Sequence, residues 1–314
     1  MSSPPPGGRH PRSAAPHGRA EAGQSAPTAR ARFRALDAYR VDREWKRYEG
    51  TPLRRLFREL RERALAGWIP PGKDVLEVGP GPGRFSPGLR ARARALTLVD
   101  LSRTMLERTR KRLVARPQGG GIARYVRGDA TRPPFVVDSF DAVVALGNIV
   151  GFAAGDAERT IGAMADVVRP GGSLIVEVAP ATGERSRYLA RLPPSAVGRL
   201  FESPPSLVQR RVESEGFDAA GPDPSHGDRF RRLSTEATRQ ILESNGFEVV
   251  AARAVAPSLA SDEERIAAIA RSSRAWSRFL EIEERLGDDP RRWIRAAAVL
   301  IDARRRGEGP ATRP

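Results

Sequence analysis

The sequence predicts an open, mostly parallel α/β sheet of seven strands with helices on both faces. Three observations carry that expectation. Short apolar runs alternate with helix-period segments from residue 74 onward. A Gly-x-Gly-x-Gly turn stands directly behind the first run, and acids sit at or near the ends of the first three runs. That end of an open α/β sheet is where ligands bind.

Taken in order, residues 1–30 mix Pro, Gly, Ser and Ala with scattered Arg and hold no large apolar residue after Met1. They are expected to form a disordered tail, because too little surface can be buried to offset the entropy of ordering. Prolines preclude the amphipathic helix of an organellar transit signal, and no apolar secretory segment is present. Residues 31–305 are read as one domain and 306–314 as a second tail. From 31 to 69, apolar residues recur at spacings of three and four, which predicts two helices. Thr51 is the expected N-cap of the second, with Pro52 at its first position.

Strands are expected at 74–79, 95–100, 121–129, 140–146, 173–179, 247–255 and 296–304. Helices are expected at 83–93, 102–116, 156–168, 235–245 and 262–285, the fourth capped by Ser234 and closed by Asn245 and Gly246. Two segments break the alternation, 180–233 after the fifth strand and 256–290 after the sixth. Both are expected to be helical inserts, and because long inserts near strand ends usually carry specificity they are assigned to the substrate side.

The stretch DVLEVGPGPGRFS (74–86) places Gly79, Gly81 and Gly83 behind a strand that carries Glu77. Glycines let a ligand approach the backbone, and a following helix would add free N–H groups. The next strand ends in Asp100, about 20 residues beyond the first glycine, where a carboxylate can accept ribose hydroxyls. Asp129 lies at the rim of the same crevice.

These residues resemble the class I S-adenosylmethionine-dependent methyltransferases, whose first motif is an acid followed by Gly-x-Gly-x-Gly, here Glu77 to Gly83. The resemblance covers about residues 70–180 and continues through 233–250. It implies a Rossmann-like fold with S-adenosyl-L-methionine as methyl donor. By the same resemblance Glu77 lies near the methionine amino group, Gly79 and Gly81 line methionine and ribose, and Asp100 holds the ribose hydroxyls. Leu101 flanks adenine, while Asp129 and the Ala130 backbone read its amino group. Residues 145–152, Asn148 among them, come closest to the transferable methyl. The chemistry of the residues agrees: this donor carries a sulfonium, an ammonium and a carboxylate but no phosphate, so the site should offer carboxylates as well as N–H groups, and the acid beside the glycines would repel a pyrophosphate. Dinucleotide enzymes usually space their glycines Gly-x-Gly-x-x-Gly, whereas here the last two are only two apart.

The expected activity is in-line methyl transfer. Positioning can supply most of the rate, and a general base is optional. Candidate bases or positioning groups are His226, Tyr188 and Asn148, of which Tyr188 also reads as a packing residue and Asn148 as a cofactor-binding residue that positions the donor or caps a turn. There is no cysteine, which removes disulfides, thiolate metal sites and the nucleophile common in cytosine carbon-5 methylation. With only three histidines, no metal is expected. Asn148-Ile149-Val150-Gly151 lacks the prolines and ring typical of exocyclic base methylation. A net charge of +16 invites a nucleic-acid partner, but the charge is spread along the chain and only three of its 54 basic residues are lysine. A small-molecule acceptor is therefore favoured, with an RNA methyltransferase or a non-catalytic RNA-binding module as the alternative. No apolar run approaches the roughly 20 residues of a membrane span, so no membrane partner and a cytoplasmic location are expected.

Overall fold

The computed structural model describes residues 50–115, 120–152, 157–178, 184–214, 217–219, 233–259, 262–293, 296 and 298–307. The expected tail over 1–30, residues 308–314 of the expected tail over 306–314, the first helix of the 31–69 segment, and His226 lie outside them.

Helix α1 (Pro52–Trp68) begins as expected, with the Thr51 hydroxyl accepting from Arg54 N at 3.3 Å and Pro52 in the first turn. The sheet elements follow: β1 (Asp74–Val78), α2 (Ser86–Arg92), β2 (Ala95–Asp100), α3 (Arg103–Val114), β3 (Ile122–Arg127), β4 (Phe140–Ala145), α4 (Ile149–Phe152), α5 (Ala157–Asp166) and β5 (Val168–Val178). The first insert holds β6 (Glu184–Ser186), α6 (Arg187–Arg191), α7 (Pro194–Leu200), α8 (Pro205–Ser214) and β7 (Phe217–Ala219). After α9 (Thr235–Ser244) and β8 (Phe247–Ala254), the second insert carries α10 (Glu263–Ala270), α11 (Ser273–Gly287) and α12 (Pro290–Trp293), and β9 (Val299–Arg305) closes the series.

All seven expected strands join one sheet in the order β3-β2-β1-β4-β5-β9-β8. Strands β1 to β5 run parallel, and β9 is inserted antiparallel between β5 and β8. Because β8 is antiparallel to β9, its carboxyl end points the same way as that of β5. Both inserts therefore leave from the edge of the sheet that carries the glycine turn.

Three expectations need correction. The helix assigned to 83–93 starts only at Ser86, because Gly79, Gly81 and Gly83 all have positive φ (64°, 53° and 78°) and form a turn instead. The single helix expected at 262–285 is two, since the Ser272 hydroxyl accepts from Ala275 N at 3.2 Å and starts a new helix. The first insert is not purely helical, because β6 and β7 pair antiparallel within it.

Side-chain alternation divides the core into two layers. One face of the sheet (Val75, Leu96, Val144, Ile175, Leu300) packs under α1, α2, α3, α10 and α11, and the other (Leu76, Val143, Leu174, Ile301) packs against α5 and α9. Helix α11 is tied to α1 where Trp276 Nε1 donates to Glu59 Oε2 at 2.7 Å and Arg55 stacks 4.6 Å above the indole.

The α1 face also receives acids. Glu177 alternates with Ile175 and Asp302 with Leu300, and both are buried. Glu283 of α11 is fully buried; the Ser258 hydroxyl donates to one of its oxygens and Ser258 N to the other at 3.3 Å. Burial pushes Glu283 up to about 8 and Asp302 up to about 6, the Ser258 and Ser173 hydrogen bonds opposing only part of that cost. A carboxyl raised in the folded state binds its proton more tightly there, so stability is fullest below the unfolded values near 4 and is lost as pH rises to about 8. Urea unfolding should give a midpoint that falls across this window. Glu283→Gln should remove part of the fall, Asp302 and Glu77 (raised to about 7) contributing the rest, and an unchanged slope in that variant would refute the assignment.

Candidate active site

The site is assembled at the carboxyl ends of β1, β2, β3 and β4. Hydrogen bonds hold the glycine turn from three sides. Gly79 N donates to Val99 O at 2.8 Å, and Gly83 N to Pro80 O at 3.0 Å. Thr109 Oγ1 of α3 donates to Gly81 O at 2.8 Å, while Arg112 reaches Pro82 O and Gly83 O at 3.3 and 3.4 Å.

The three glycines differ in their surroundings. A Cβ on Gly79 would lie 2.3 Å from Ile149 Cδ1, and one on Gly83 would lie 2.7 Å from Thr109 Cγ2. Close packing requires both. Gly81, at φ 53°, faces open space, and a Cβ there would meet nothing within 4 Å. It is thus the glycine a ligand can approach.

Glu77 lies beneath this turn, 4% exposed, and accepts from Ser86 Oγ at 2.6 Å. Burial, with a smaller push from the Asp100 charge, drives its carboxyl up to about 7 against the lowering effect of the Ser86 bond. Asp100 binds the turn to the next helix: Gly81 N donates to its Oδ2 at 3.1 Å and Ser102 N to its Oδ1 at 2.8 Å. Ser102 in turn caps α3 through Met105 N. Leu101, between them, is half-buried. At the end of β3 the Asp129 carboxylate accepts from Thr131 N and Thr131 Oγ1, both at 2.9 Å, with Ala130 half-buried between the two residues. Asn148, beyond β4, is 7% exposed at φ 57°, and neither side-chain amide atom has a hydrogen-bond partner among the described residues.

The structure therefore brings Glu77, the three glycines, Asp100, Leu101, Asp129, Ala130 and Asn148 to adjacent strand ends of one sheet edge. Tyr188 instead packs half-buried against the hydrophobic core from α6. Sequence reasoning missed the supports: Ser86 under Glu77, Thr109 on Gly81, Ser102 on Asp100 and Ile149 on Gly79. Only Ser102 left a local signal, as a cap residue before a helical run.

A family model described as a methyltransferase domain matches residues 75–172, which begin within β1 and end within β5. That segment carries a methyltransferase domain, in line with the resemblance to the class I S-adenosylmethionine-dependent methyltransferases. Among curated proteins, the demethylmenaquinone methyltransferases of Mycobacterium sp. (strain JLS) and Clavibacter sepedonicus are 39% and 32% identical over 119 and 124 residues. Those matches cover 37% and 38% of this chain and 46% of each relative, so the chain spans about half the length of the curated relatives it matches. The solved magnesium protoporphyrin IX methyltransferase of Synechocystis PCC 6803 with bound SAH covers 87% of this chain and 97% of its own, at 15% identity and a TM-score of 0.52, and so shares the fold. Every residue at the strand-end site falls inside the segment matched by the methyltransferase domain. Helix α1 and both inserts fall outside it.

Proposed function

We propose that the chain is an S-adenosylmethionine-dependent methyltransferase acting on a small-molecule acceptor. One observation carries this reading: a buried carboxylate, Glu77, lies beneath a glycine turn that opens at Gly81. The residues fit the donor. An ammonium suits the Glu77 carboxylate, and a sugar suits Asp100, whose oxygens retain acceptor capacity beyond the Gly81 and Ser102 bonds. Asp129 and the Ala130 backbone would receive the adenine amino group, and Leu101 its face.

When bound, S-adenosylmethionine supplies a methyl group on a sulfonium, ready for in-line displacement. The protein's part is positioning. Thr109 and Asp100 fix the turn, Ser86 fixes the Glu77 carboxylate, and the inserts at the carboxyl ends of β5 and β8 shelter the acceptor side. Support for a small-molecule acceptor comes from the demethylmenaquinone methyltransferases, which match 37% and 38% of this chain.

Calorimetry with S-adenosylmethionine and its demethylated product SAH tests the reading. Micromolar binding of both is expected, as for many cofactors of this size. Binding of NADH but neither sulfur nucleoside would overturn it, and salt-sensitive RNA affinity without nucleoside binding would favour the RNA-binding alternative. Gly81→Val should abolish SAH binding, because it fills the open glycine position of the Gly79–Gly83 turn and disfavours the left-handed backbone.

Glu77 adds a pH dependence. Its carboxylate form attracts the ammonium, and with its value near 7 that form is lost on acidification. Affinity should hold just above neutrality and weaken by up to about tenfold per unit as pH falls toward about 5.5. Glu77→Gln should remove the slope and lower the plateau; a slope equal to wild type would exclude Glu77 as its source.

A further inference from the structure

Basic residues are spread along the chain, but the net charge is not. Residues 103–132 hold nine basic side chains and two acids, a net +7 of the chain's +16. Exposed apolar side chains crowd into nearly the same stretch. Of the five exposed large apolar residues among those described, Val114, Ile122, Val136 and Val137 fall between 114 and 137, the first two 70% and 61% exposed. The fold gathers these features along one edge of the sheet, where β3 pairs with β2 alone. Helix α3 buries Met105, Leu106, Thr109 and Leu113 and leaves Arg108, Arg110 and Lys111 exposed. Arg90 ties the end of α3 to the start of β3, its Nη1 donating to Leu113 O at 2.9 Å and its Nε to Gly121 O at 3.0 Å. Val114 and Ile122 therefore follow directly from residues held by one guanidinium. On β3 itself Ile122 and Arg124 are exposed, and the chain runs on to β4 without a helix, exposing Val136 and Val137.

The acids nearby are already engaged. Glu107 pairs with Arg103 at 2.9 Å, Asp129 accepts from Thr131, and Asp138 pairs with Arg305. The edge thus presents cations beside exposed aliphatic side chains, which complement a surface that is anionic and apolar at once. A nucleic acid meets the first condition, but single strands also want rings on which bases can stack. The one ring between 103 and 132, Tyr125, is half-buried against the core. An anionic lipid surface meets both conditions, because its headgroup phosphates attract Arg and Lys while aliphatic side chains enter the interface. No helix of the described residues is long and apolar enough to cross a membrane, which is no bar to contact with its surface.

We propose that the β3 edge docks on an anionic lipid bilayer, with Arg110, Lys111 and Arg124 on the headgroups and Val114 and Ile122 entering the interface. This goes beyond the methyltransferase reading and stands without it. The test floats the full chain with vesicles of phosphatidylglycerol mixed with phosphatidylcholine, and with vesicles of phosphatidylcholine alone. The anionic vesicles should be preferred by about tenfold or more, less so as salt rises. Arg110→Glu with Lys111→Glu should lose about tenfold of that affinity. Arg271→Glu with Arg274→Glu makes the same charge change on exposed residues around the start of α11, which packs on β8 at the opposite edge, and should stay within about threefold of wild type. Val114→Ser with Ile122→Ser keeps the charge and should weaken vesicle binding about fivefold or more. Equal losses in the two charge variants would reduce the effect to overall charge, and full binding by the serine variant would deny the apolar contact. Either result overturns the proposal, as does a wild type without preference for the anionic vesicles. Displacement of the vesicles by a single-stranded RNA at equal phosphate concentration would assign the edge to a nucleic acid and overturn it as well.

Discussion

Replacing Asp100 by alanine should weaken S-adenosylmethionine binding by about 100-fold or more, since hydrogen bonds to a charged group are worth roughly 1.5–3 kcal/mol each and two sugar hydroxyls would lose their acceptor. The substitution also releases Gly81 N and Ser102 N, both of which the carboxylate now ties down. The loss therefore has two sources, a missing ligand contact and a loosened turn. Asp100→Asn separates them: it retains an acceptor oxygen for one backbone donor and should recover part of the affinity. Calorimetry at fixed salt reads both variants. Binding by Asp100→Ala within threefold of wild type would mean that the strand-end acid does not face the ligand.

Arg61→Ala should destabilise the fold by about 3–5 kcal/mol, the usual cost of leaving one member of a buried ion pair without its partner. Arg61 Nε and Nη2 donate to Glu177 at 2.8 and 2.7 Å, and Arg61 Nη1 donates to Phe57 O at 2.8 Å. Both side chains are only 5% exposed. Glu177 lies near the carboxyl end of β5, so the pair locks α1 over the sheet next to the site. Replacing both residues by apolar ones of similar size (Arg61→Met with Glu177→Leu) should restore most of the stability, because neither charge is then stranded. Urea unfolding of the two single variants and the double variant measures the coupling. Additive losses would show that the pair contributes nothing beyond its separate parts.

These two expectations draw on different kinds of information. Asp100 could be singled out in the sequence, because an acid closing an apolar run about 20 residues after a glycine turn has a local spacing to betray it. The Arg61–Glu177 pair could not, as its members lie 116 residues apart and each looks like an ordinary charge in a chain rich in both signs. The same contrast holds in the site. Glu77, the glycines and Asp129 were legible by their place at strand ends, whereas Thr109 on Gly81 and Ile149 on Gly79 arise only when α3 and the β4 loop fold back on the turn. Where the local pattern misled, another local feature won: positive-φ glycines delayed α2 to Ser86, and a serine cap split the helix around Ser272.

By itself the sequence determined the seven strands, most of the helices between them and the acid-flanked glycine turn, because hydrophobic period, capping and backbone freedom are properties of residues near one another in the chain. Only the tertiary structure decided that β9 enters antiparallel between β5 and β8, that Glu77 is buried deeply enough to titrate near neutrality, and that the Asn148 amide is buried without a partner among the described residues. Each of these depends on which distant segments exclude water from a given group, and burial of that kind exists only once the chain has closed on itself.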